Sequence, residues 1–145
     1  MRLDKWVFCE SVRQEASGQV TLVGVFPSDM IGFQESLSTP MAMPSLALLA
    51  VLDQMNGIDK MRVQCEVKFG LNVIQLTPAI EFDRLDRAAR HHTIHLTFAN
   101  FVVTRFGEYT FKLILEVNGD ATSFTRRLRI ERASVVAPSP TSTRH

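Results

Sequence analysis

Two ten-residue stretches of this chain alternate apolar and polar side chains almost without error. In residues 60–69, Met61, Val63, Cys65, Val67 and Phe69 are apolar, while Lys60, Arg62, Gln64, Glu66 and Lys68 are polar or charged. In residues 109–118, Tyr109, Phe111, Leu113, Leu115 and Val117 form one row, and only Ile114 interrupts the polar row. Successive side chains of a strand point to opposite faces, so each run is a β-strand with one face on a core and one in water. The fold class that follows is all-β.

Composition agrees with a single domain. The chain has 145 residues, 46% hydrophobic and 21% charged, which suits a globular protein able to bury a core without metal or a disulfide framework. A net charge of +1 supplies no overall field for nucleic acid or an anionic membrane, so such binding would need a local patch. Cys9 and Cys65 are the only cysteines. Cys65 lies on an apolar row, where a thiol behaves as a small hydrophobe, and a reduced, cytoplasmic setting is expected. Arg2, Asp4 and Lys5 break up the start of the chain, and no apolar run reaches the roughly 18 residues of a membrane span. Neither export nor membrane embedding is expected.

Residues 5–13 and 19–26 are apolar-rich runs joined by Gln14-Glu15-Ala16-Ser17-Gly18, which reads as a hairpin. The second arm is apolar on both faces, predicting a central strand or one shielded by a loop. Residues 28–44 read as a long connection with one short strand. Leu46 to Leu52 fits a buried strand, or a helix capped by Ser45 and ended at Asn56-Gly57. The strand is preferred, because Asn56-Gly57 then makes a hairpin into residues 60–69. Pro78 places the extended stretch 71–82 at an edge, and residues 83–92 suit one helical turn. Ile94, Leu96, Phe98 and Val102 mark a further strand, with Asn100 the exception. Asn118-Gly119 is the strongest hairpin signal and leads into a strand over 122–130 that buries Phe124, Leu128 and Ile130. Arg126 falls on that same face, which implies a bulge or an arginine at the rim. The domain is read as residues 1–132, with 133–145, lacking any apolar period, as a disordered tail. Seven or eight strands in such a chain predict an antiparallel β-sandwich, immunoglobulin-like or related, since one sheet alone would leave its apolar face in water.

Two separated segments carry a resemblance. Phe8-Cys9-Glu10-Ser11-Val12-Arg13 followed by Leu22-Val23-Gly24-Val25-Phe26, and later Phe106-Gly107-Glu108-Tyr109-Thr110-Phe111 followed by Val117-Asn118-Gly119, are similar to a bacterial family of small, uncharacterised β-sandwich proteins. Phe106 stands where that family often has proline. The resemblance implies a cytosolic sandwich of unknown function and carries over no catalytic residue.

Candidate chemistry is sparse. His91, His92 and His95 form the one histidine cluster, with His145 in the tail. On a strand, His91 and His95 lie about 13 Å apart, too far for one ion, and no Glu follows His91 as a zinc-protease motif requires. Arg84, Arg87 and Arg90, and Arg126, Arg127, Arg129 and Arg132, make two basic stretches. Asp83, Asp86, Asp120 and Glu131 lie among them, and the neighbouring aromatics fall at core positions rather than on a stacking platform. Tyr109, the only tyrosine, suits a structural bond that pins a corner. Glu81 and Asp83 share a strand face but have no further partner for acid–base work. No nucleophile elbow or phosphate loop occurs. The expected function is therefore non-catalytic, without cofactor or metal, acting through a protein partner or self-association; a ligand- or carbohydrate-binding sandwich is the alternative.

Overall fold

The alternating rows fall where the core is. Met61, Val63, Cys65, Val67, Tyr109, Phe111, Leu113 and Leu115 are all buried, and the two strands carrying them pair with Cys65 opposite Leu113. The structure, a computed structural model, describes residues 1–33 and 38–132. Its strands are β1 (Arg2–Gln14), β2 (Val20–Val25), β3 (Met30–Phe33), β4 (Met41–Asp53), β5 (Met61–Phe69), β6 (Asn72–Leu76), β7 (Ile80–Phe82), β8 (His92–Val103), β9 (Gly107–Val117) and β10 (Asp120–Arg132). The expected tail, 133–145, lies outside the described residues.

One sheet runs β2-β1-β4-β8 and the other β3-β10-β9-β5-β6, with β7 also on β5. Pairing is antiparallel except between β3 and β10, which run parallel from Met30 opposite Arg129 to Phe33 opposite Arg132. The sheets face one another across a single core. Its aromatic centre is Phe111, whose ring lies 4.9 Å from Phe8, 5.6 Å from Phe98 and 5.9 Å from Phe101, centroid to centroid. The sandwich is as expected, but the strands number ten among the described residues because β3 is ordered within the 28–44 connection and Pro78 divides β6 from β7. The ambiguous 46–52 segment is strand, the middle of β4.

Several local expectations give way to tertiary context. Asn56-Gly57 does not close a hairpin, since β4 and β5 belong to different sheets. The backbone there bonds sideways to the approach to β8, Met55 N–H to Arg90 O and Gly57 N–H to Arg87 O. Residues 83–91 form a loop that turns at Arg87 and Ala88 and no helix, and His92 already belongs to β8, because backbone groups of Leu85, Arg87 and Arg90 are engaged by Asp59 and the 55–57 turn. The arm 20–26 is no central strand. β2 is an edge, with Val20, Val23 and Val25 exposed, and Gly24 at φ +65° lies where a Cβ would come within 2.6 Å of the Glu10 side chain. Arg126 sits in an unbroken ladder opposite Phe111 and is exposed at the rim, so no bulge is present.

The β4–β8 ladder contains a paired reversal. Core residues on β8 are Ile94, Leu96 and Phe98, then Phe101 and Val103; on β4 they are Leu52, Ala50, Leu48 and Leu46, then Met43. Both strands exchange inner and outer faces at the same rung, while the pairing keeps step from Ser45 opposite Ala99 to Met43 opposite Phe101. Between those rungs Pro44 lies across from Asn100, whose φ is +55°. A left-handed residue turns the strand over, and a proline opposite it has no N–H to leave unmatched. Val102 is consequently 47% exposed, whereas the alternation counted it inward.

Candidate functional site

β4 is apolar on both faces from Leu46 to Leu52 and ends in Asp53, the one buried charged residue among those described. Burying a carboxylate demands cations and donors, and they arrive from three places in the sequence. Arg2 at the start of β1 donates Nη2–H to Oδ2 at 2.7 Å; Arg90 donates Nε–H to Oδ1 at 2.9 Å; His91 Nε2 stands 3.2 Å from Oδ1. The N–H of Gln54 also donates to Oδ1, at 2.8 Å. The Arg90 and Gln54 hydrogen bonds outweigh the cost of burial and hold the Asp53 carboxyl at about 2. A carboxylate so fully engaged stays ionised and is no proton carrier at neutral pH. It pins the ends of β1 and β4 to the approach to β8.

The apolar opening of the molecule lies elsewhere. Phe26, Ile31, Phe33, Met41 and Met43 line a cleft of about 520 Å³, with Glu10 and Ser45 at its polar side. There β1 parts from β4: the pairing ends at Cys9 opposite Ala47, and the Ser45 hydroxyl donates to the Glu10 carbonyl. A second groove, about 540 Å³, crosses the outer face of the same sheet between Val20 and Leu22 of β2 and Val7, Leu49 and Val51.

The residues singled out from sequence are dispersed. Of the histidines, His91 is taken up by Asp53, His92 points its Nε2 into the protein without a partner among the described residues, and His95 is exposed. His145 lies outside the described residues. No group of three or more His, Cys, Asp or Glu side chains is placed to hold a metal ion among the described residues. Arg127 faces Glu108 at 3.5 Å, Arg129 faces Glu131 at 2.9 Å, and the Arg132 guanidinium lies 5.2 Å from the Phe106 ring centre. Arg84 and Arg87 are exposed. Glu81 and Asp83 do meet, with Lys60, Arg62 and Glu116, around a shallow pocket of about 240 Å³; Glu81 and Glu116 flank Arg62 from the two neighbouring strands, a charge ladder on an open sheet face.

Tyr109 is buried, and its hydroxyl donates to Arg105 O at 2.6 Å and accepts from Arg105 N–H at 3.2 Å, fastening the β8–β9 connection. Trp6 is buried too, its Nε1 without a partner among the described residues. Both cysteines are free and buried. Burial and the neighbouring Glu66 push the Cys65 thiol up to about 12, and burial also raises Cys9. Sequence reasoning missed Asp53. Its signal was a carboxylate closing a run apolar on both faces, a position that needs a cation from elsewhere in the chain.

Two sheets face to face on one core, with no helix among the described residues long and apolar enough to cross a membrane, make this a β-sandwich domain. The chain belongs to the family of unknown function DUF6941, whose pattern matches residues 4–129. Among solved structures it is similar to a β-glucosidase from Listeria innocua, at 8% identity and a TM-score of 0.43, over 88% of this chain and 16% of that protein. This chain thus spans about a sixth of that protein's length. No curated protein matches it.

Proposed function

We propose that this chain is a non-catalytic sandwich of the bacterial cytoplasm that acts through contact with another protein or with itself. The observation that carries the reading is where its exposed apolar side chains lie. Val20, Val23 and Val25 stand on β2, and Leu76, Val73 and Ile80 on β6 and β7, all strands at the margins of their sheets, where exposed apolar side chains are open to a partner's surface. Free, buried thiols support the reduced compartment. A photo-reactive residue placed at Val23 or Val73 in the native host is expected to give discrete protein adducts, and one at Arg62, within the charge ladder, none. Absence of adducts at both apolar positions would sink the foreign-partner side of the reading.

The cleft beside Phe26 favours a second reading, an apolar small ligand. Its lining of phenylalanine, methionine and isoleucine suits an aliphatic or aromatic group, with Glu10 able to meet a positive end. Carbohydrate fits less well, because the rings that stack best on sugars, Trp6 and Tyr109, are both buried. Phe33→Asp, which sets a carboxylate in the lining, is expected to abolish the fluorescence of an apolar dye bound there; unchanged dye binding removes this reading.

A further inference from the structure

A strand at the margin of a sheet offers unpaired N–H and C=O groups to any other strand, and proteins blunt such edges with short length, glycine, proline or charge. Among the described residues, three of the four margins are blunted in these ways. β3 has four residues, β2 has six and carries Gly24 with positive φ, and β6 is parted from β7 by Pro78, with the Thr77 hydroxyl, rather than a backbone carbonyl, accepting the Cys65 N–H. The fourth, β8, is twelve residues long, HTIHLTFANFVV, without Lys, Arg, Asp, Glu or Pro. It pairs with β4 alone, and no backbone group of residues 92–103 bonds to another part of the chain among the described residues.

We propose that β8 is a dimer interface, pairing antiparallel with β8 of a second copy of this chain to make one sheet of eight strands. This deepens the self-association side of the function proposed above and rests on it. A foreign peptide added to an edge gains its specificity from pockets that receive alternate side chains. Beside β8 the inward row is sealed, Ile94, Leu96 and Phe98 being 1–4% exposed, and on the outer face Thr93 alone borders a groove, so along residues 94–99 the main chain is what the edge has to offer. An identical strand meets it on equal terms, since an antiparallel pair is self-complementary about a two-fold axis. The usable segment is bounded at one end by the Asp53 cluster and at the other by Asn100, where the strand turns over. Residues 93–99 remain, and their midpoint is Leu96. With the axis there, the outer face pairs Thr93 with Ala99 of the other copy and His95 with Thr97, and no like formal charges oppose one another.

That register makes the test specific. In light scattering coupled to gel filtration, the full chain is expected at twice its 16.3 kDa mass. The double variant His95→Lys with Thr97→Lys sets ammonium groups directly opposite one another across the axis and is expected to fall to the monomer mass. The variant His95→Glu with Thr97→Lys replaces each repulsion by an attraction and is expected to return to the dimer mass. Far-ultraviolet circular dichroism confirms that each is folded; if the first is not, the second alone decides by keeping or losing the dimer. A wild-type chain that is monomeric at every concentration, or a folded double-lysine variant that remains dimeric, overturns the proposal. The monomeric result leaves a foreign partner standing, since adducts at Val23 or Val73 report on that independently.

Discussion

Replacing Phe111 by alanine removes the ring on which both sheets close. The side chain is fully buried and touches Phe8 and Phe98 from the opposite sheet in edge-to-face geometry and Phe101 in a stacked one. Phe→Ala in a core costs about 3–5 kcal/mol through lost transfer energy and the cavity left behind, and three ring contacts of about 0.5–1.5 kcal/mol each place this site at the upper end. For a domain with a urea dependence of about 2 kcal/mol/M, the midpoint should fall by about 2 M. Leu113→Ala, one rung away on the same row, should cost about 2–5 kcal/mol. Lys112→Ala, whose exposed side chain points away from the core, should stay within about 0.5 kcal/mol. Trp6, the single tryptophan, sits 5.7 Å from Phe8 and reports the transition by fluorescence. Equal losses for the three variants would refute the one-sided burial of β9, and a loss below about 1.5 kcal/mol for Phe111→Ala would refute its place at the centre of the core.

Three further outcomes are expected. Asp53 titrates from an ordinary 3.8 when unfolded to about 2 when folded, so its stabilising contribution is complete above the unfolded value and is lost as pH falls through the folded one; Asp53→Asn should be less stable at neutral pH and flatter between about pH 4 and 2 by acid titration of the unfolding midpoint, and an unchanged slope would count against the cluster. Tyr109→Phe strands the Arg105 N–H and C=O and should cost about 1–3 kcal/mol in chemical denaturation; a neutral result would free Tyr109 from its structural role. In the native protein Cys9 and Cys65 should both react slowly with a thiol reagent, and intact mass should show two free thiols; fast reaction at either site contradicts their burial.

What could be read from the chain depended on how far away the deciding residue lay. β5 and β9 were legible because each carries its own answer, one row inward and one outward, and Asn118-Gly119 specifies its turn locally, with positive φ at both residues. β2 was misplaced because Val20 to Val25 is apolar on both faces, and periodicity cannot distinguish a covered strand from an edge strand whose apolar side chains stay exposed. Val102 was misplaced because a single left-handed residue, Asn100, reverses the face without disturbing composition. Asp53 was invisible because its partners come from residues 2, 90 and 91, which only the fold brings together. Asn56-Gly57 signalled a turn correctly, but whether a turn stays within a sheet or crosses between sheets is decided by the strands on either side.

The paired reversal at Pro44 and Asn100 also bears on how the chain avoids folding wrongly. In a regular ladder, slipping one strand past its neighbour by two residues restores every side chain to its proper face, so such an error is hard to detect energetically. Here the same slip would set the turned-over rung of β8 against an unturned rung of β4. Stretches of both strands would then send Thr, Ala or Ser inward and Leu or Phe outward. The reversal works as an index mark cut across two strands, accepting a single alignment of the longest pairing in the first sheet. It also ties the two segments together under sequence change: a residue inserted on one side of the mark in β4 is tolerated only with a matching insertion in β8.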